Sequence, residues 1–260
     1  MPCARMLSLN APPATSDARS FLAVVRWMSM RFLRPVVILA LALGSAAITA
    51  SSLVYFDADE YAPFLLEKLE LPVPNEARYI LALQVHVIAA AFALPACLLL
   101  LSRTLMRRAP GVHRWLGRLT GSVAVLALAP SGLYLSLYAK GGLPGTLGFM
   151  LSGAIVVVAM VQGVRAARAG DHVEHRRFVL HVLAQMAVAV VSRAMLYVAD
   201  AAAFDHETAY LVSLWLPVIG CAAVVEWLVG PRHLPWRNHA SSSARRRRDR
   251  SHVEPGFSRI

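Results

Sequence analysis

Six predominantly apolar stretches recur between positions 36 and 229, at about 36–56, 79–101, 118–138, 147–164, 178–199 and 208–229. Each is long enough to cross the roughly 30 Å hydrocarbon core of a bilayer as a helix, which takes about 20 residues. The first reads "VVILALALGSAAITASSLVYF". Short polar connections separate the runs, so the pattern predicts an all-α multipass transmembrane bundle of about six spans. A six-span domain over 36–230 follows, flanked by two polar segments.

The segment 1–35 opens with Pro2, Pro12 and Pro13. It then mixes Arg19, Arg26, Arg31 and Arg34 with Phe21, Trp27 and Phe32. That composition predicts a cytoplasmic leader with a basic interfacial helix leading into the first span. The small residues ending that span raise the alternative of a cleaved signal peptide. A preceding region of this length, and an apolar run continuing to Phe56, favour a retained anchor. Residues 231–260 are Ser- and Arg-rich and are expected to form a disordered basic cytoplasmic tail.

Charge placement tests the span count. Of 26 Lys and Arg, 22 fall in the leader, the 102–118 and 165–177 connections and the tail; the exceptions are Lys68, Arg78, Lys140 and Arg193. The alternate connections carry Asp57, Asp59, Glu60, Glu67, Glu70, Glu76, Asp200, Asp205 and Glu207. Short basic loops stay cytoplasmic, so both termini are expected on the cytoplasmic side. The chain is 57% hydrophobic and only 16% charged, against about a quarter charged in soluble domains. A net charge of +11 therefore marks orientation, and no nucleic-acid partner is expected without a folded basic domain. The Arg245–Arg248 run suits anionic headgroups, at about 1 kcal/mol per charge. Cys3, Cys97 and Cys221 are too scattered for a disulfide framework or a metal knuckle.

Candidate chemistry lies in the polar residues left within or beside the spans, where ionisable groups are costly. His113-Arg114 opens the third span and His175-Arg176 the fifth, at the same end. His181 and Glu226 fall at that end too. His86, Arg193, Gln84 and Tyr197 form a second layer in the other half. Imidazoles facing each other across a bundle can ligate haem iron, and arginines can pair its propionates. His113, His175 and His86 are therefore candidate haem b ligands, with Arg114 and Arg176 as propionate partners. A second haem would need His86 with a methionine such as Met150 or Met195. His86, Arg193, His181 and Glu226 alternatively form a polar intramembrane path for a small solute or protons. His86 and Arg193 share a depth, so they are expected to meet, bridged by Gln84 or Tyr197. Simple hydrogen bonding of these side chains to carbonyls and headgroups stays open as well. Gly163 and Gly170 read as helix-end residues, and "GGLPG" at 141–145 as an external turn.

At "HRWLGR", with His86 upstream and "HRRF" and "SRAML" downstream, the chain resembles a family of bacterial predicted membrane proteins known as domain of unknown function 2306. The likeness covers roughly 79–200 and rests on His86, His113-Arg114, Gly117, Gly141-Gly142, His175-Arg176 and Arg193. Phe178, Val179 and His181 depart from the family's pattern. The resemblance implies an inner-membrane location and supplies no reaction. The expectation is thus a multipass protein of the bacterial cytoplasmic membrane, with a b-type haem electron-transfer module as the leading function. Its partners would be the bilayer and a membrane quinone or redox protein. The alternatives are a transporter and a non-catalytic membrane partner.

Overall fold

The computed structural model describes the backbone of residues 16–56, 73 and 75–229, and the side chains of Leu33 and of these residues from 35 onward. The leader before residue 16, most of the acidic connection and the basic tail lie outside the described residues. Among the described residues there is no strand. Six helices are long and apolar enough to cross a membrane. The sequence expectation of a multipass helical bundle holds.

Helix α1 runs Ser16–Ser51 and passes through a 3-10 turn, Ser52–Phe56. The basic segment and the first apolar run are thus one continuous helix. Helix α2 (Glu76–Leu100) starts where the Asn75 side chain accepts a hydrogen bond from Arg78 N, satisfying one of the orphan donors of a helix start. A short helix α3 (Arg103–Arg108) fills the basic connection, capped by the Ser102 hydroxyl. Helix α4 covers Pro110–Ser136, helix α5 Gly142–Arg168, helix α6 His172–Ala201 and helix α7 His206–Val229.

The spanning helices begin earlier than the apolar runs. Pro110 stands in the first turn of α4, where its missing N–H costs nothing. Asp171 caps α6 by accepting from Val173 N and Glu174 N. Gly141, with φ of 80°, turns the chain directly into α5, so the "GGLPG" turn is shorter than expected. His113 and His175 therefore lie within helical first turns rather than in loops. Gly163 is also interior to α5, a correction to its reading as a helix end, whereas Gly170 (φ 75°) does end the helix. At the last helix, the Asp205 carboxylate accepts from Thr208 N, which holds its carboxyl below the usual range.

Helix α4 packs on α2 and α5, and α6 packs on α5 and α2, giving a four-helix ring with α4 facing α6 across it. Its core joins Ala93, Leu94 and Cys97 of α2, Ala124 of α4, Val156 and Ala159 of α5, and Val182, Leu183 and Met186 of α6. Helix α7 lies against α5 and α6, and α1 against α2 and α6. Buried Gln185 ties three helices: it accepts from the Ser152 hydroxyl of α5 (2.9 Å) and donates to Val218 O of α7 (3.0 Å). Leucines and valines such as Leu126, Leu143 and Val198 are exposed around the outside, the surface a bilayer covers.

Candidate functional site

The histidines and charged side chains read as two layers lie at four places in the bundle. At the basic end of the ring, His113 of α4 and His175 of α6 lie within electrostatic reach of each other. His113 Nδ1 is closed off from the surface and has no hydrogen-bond partner. His175 Nδ1 lies 2.8 Å from Gly163 O of α5. A carbonyl only accepts, so Nδ1 carries the proton and the Nε2 lone pair is left free. A Cβ at Gly163 would make ordinary contacts, with Phe178 Cβ at 3.4 Å and His175 Nδ1 at 3.9 Å, so the approach does not depend on glycine. Gly117 and Gly121 follow His113 at four-residue intervals along α4, keeping that face low. Arg114 and Arg176 are exposed beside the two histidines.

A second cluster joins α6 to α7. Glu226 accepts from Arg177 Nε (3.1 Å) and Nη2 (2.6 Å), and from His181 Nε2 (2.6 Å). Arg177 also reaches Glu174, at 3.5 Å. His175 and His181 share an end yet serve different interfaces, because six residues along a helix turn the side chain by about 120°. Arg177 was not singled out in the sequence; it sits one residue past the His-Arg pair, about 100° further round.

His86 occupies a third place, the α2–α4 contact. Its Nδ1 lies 3.2 Å from Leu128 O and 3.3 Å from Ser131 Oγ. The carbonyl again requires Nδ1 to donate. Ser131 is already committed as a donor to Ala127 O (2.6 Å) and Leu128 O (3.1 Å). These carbonyls belong to a π-helical stretch, Ala124–Leu128, just before Pro130. Ser131 and His86 bring side-chain donors to these carbonyls. Gly132 makes room: a Cβ there would lie 2.9 Å from His86 Cε1. The ring thus ties two helices together. No sequence pattern marked the π turn.

Arg193 lies in the fourth place, beside α1. Its charge reaches the His86 and Tyr210 side chains, and its Nη1 donates to Ala189 O (3.2 Å). The expected bridges are absent: Gln84 donates to Tyr55 O (3.1 Å), and Tyr197 is exposed. No group of three or more His, Cys, Asp or Glu suited to a metal ion occurs among the described residues.

Fold and site together define a multipass helical membrane protein in which His86, His175, Gln185 and Glu226 are bonded between helices. The model of the family described as predicted membrane protein (DUF2306) matches residues 83–229, more than half of the chain. The chain belongs to that family. The match extends beyond the resemblance read at 79–200 to include all of α7, and with it Glu226. No curated protein and no solved structure matches the chain.

Proposed function

We propose that this protein is a b-type haem-binding electron-transfer module of the cytoplasmic membrane, with His113 and His175 as axial ligands. The observation that carries the reading is the enclosed, unpartnered Nδ1 of His113, at the same end of the bundle as His175. A buried polar nitrogen without a partner costs about 1–3 kcal/mol, a cost that a ligand at this ring would offset. His175 has the outer support common to metal-bound imidazoles, an N–H held by a backbone carbonyl that orients the other nitrogen. Arg114 and Arg176, exposed at the same end, would pair with the propionates. The haem would supply a one-electron couple. The chain's own part is to fix both rings, keep water out with the core below, and set the charge at the basic end.

The alternative of a solute or proton path has less behind it. His86, Arg193 and the His181–Glu226 pair sit at different helix contacts. Between them the core is closed by Val182, Leu183, Met186 and Val218, and both amide atoms of Gln185 are engaged.

The test is the absorption spectrum of the full chain, purified in detergent after expression with ample haem. A Soret band with the paired visible bands of low-spin bis-histidine haem is expected. A spectrum without Soret absorption would overturn the reading.

The charge asymmetry supports an orientation with both termini in the cytoplasm and the 57–78 connection outside. Reporter fusions after Asn75 and after Ser241 should then report opposite sides of the membrane. Two fusions reporting the same side would be incompatible with it.

A further inference from the structure

Between α1 and α6 a groove of about 450 Å³ opens beside the point where Gly44 seats against Val190. Its walls are apolar, chiefly Ala47 and Ile48 of α1 with Val190 and Ala194 of α6, and Arg193 stands among them. Arg193 has no ion-pair partner among the described residues; its guanidinium donates to Ala189 O, one turn earlier on its own helix. An arginine within a span is costly unless something satisfies it. Long arginines usually escape by reaching for the nearer surface. This one lies eight residues before Ala201, about 12 Å from the acidic end of the helix. Side chains lean toward a helix's N-terminus, and for α6 that is the basic end. The bond to Ala189 O draws the guanidinium the same way, toward the middle of the bilayer.

We propose that this groove seats the head of a membrane quinone, with Arg193 donating to a quinone carbonyl oxygen. The redox identity of the occupant rests on the haem reading above. Guanidinium stays charged at any working pH and makes strong charge-assisted bonds to oxygen acceptors. A quinone brings a flat neutral ring with such oxygens, and its apolar tail can leave sideways into lipid. A phospholipid phosphate fits less well. It would carry its charge past the Asp200 carboxylate at the rim, and the groove lining offers it no second cation.

The experiment uses the full chain in nanodiscs of zwitterionic lipid, labelled with a photoreactive short-chain benzoquinone and mapped by mass spectrometry. Labelling is expected on the α1 and α6 residues lining the groove and should be competed by unlabelled benzoquinone. Arg193→Leu should cut it by about tenfold, the loss of one charge-assisted bond, and Ala194→Phe, which leaves the arginine in place, should cut it by filling the groove. Labelling elsewhere, labelling indifferent to both variants, or competition by phosphatidylglycerol alone would overturn the proposal. Soret absorption of the same samples separates the two ideas. A haem-bearing chain that does not label loses the groove alone. A haem-free chain that labels there loses the electron-transfer reading and with it the occupant's redox role.

Discussion

Replacing either His113 or His175 by leucine should remove nearly all haem from the purified protein, while His86→Leu should leave the Soret band in place. The asymmetry follows from what each ring already does. Both bonds of the His86 Nδ1–H run to α4, to Leu128 O and Ser131 Oγ, and Gly132 is shaped around the ring. Its loss loosens a helix contact. His113 has no protein partner to lose at Nδ1. Losing an outer partner of a metal ligand already costs about 10–100-fold in affinity, so losing the ligand itself should reduce bound haem by more than about tenfold. Absorbance per protein at equal folded yield is the measurement. If His86→Leu bleaches the protein and His113→Leu does not, the haem is held in the other half of the bundle and the assignment falls.

The outline of the bundle was legible because bilayer length and hydropathy act over whole segments. Runs of apolar residues mark spans whatever their partners. Helix ends were less legible: Pro110 and Asp171 start α4 and α6 well before the apolar stretches begin, since charged and polar residues can be helical at a membrane surface. The pairing of polar groups was the least legible. It depends on angles about helix axes, and these tell His175 from His181 and Arg176 from Arg177 although each pair is close in sequence. A 100° step per residue could have separated His175 from His181 in advance. It could not have said which neighbouring helix each would meet. The His86 contact needed more still, because its acceptors are carbonyls of a π turn, and carbonyls carry no residue-type signal. Gln185 sits in a run otherwise read for hydropathy alone, yet its amide joins α5, α6 and α7. Its mid-span position was the available signal.

The Arg177–Glu226–His181 cluster should be the strongest polar tie between α6 and α7. Glu226→Leu removes the acceptor of three hydrogen bonds and leaves Arg177 with Glu174, 3.5 Å away, as its remaining acidic neighbour. Breaking a fully buried pair from one side costs about 3–5 kcal/mol, and an exposed one about 0–1. The Arg177 side chain is 26% exposed and that of Glu226 42%, so a loss of about 2 kcal/mol is expected. Arg177→Leu alone should cost less, because Glu226 keeps His181 at 2.6 Å and can reach solvent. The double variant Arg177→Leu/Glu226→Leu should recover part of the loss, because the guanidinium that lost Glu226 is then gone as well. Denaturation of the four proteins in one detergent gives the coupling by a double-mutant cycle, expected at about 1–2 kcal/mol for groups in direct contact. Strict additivity would mean that the pair merely shares a surface, and that apolar packing such as Val188 on Leu214 and Val218 holds α7 in place.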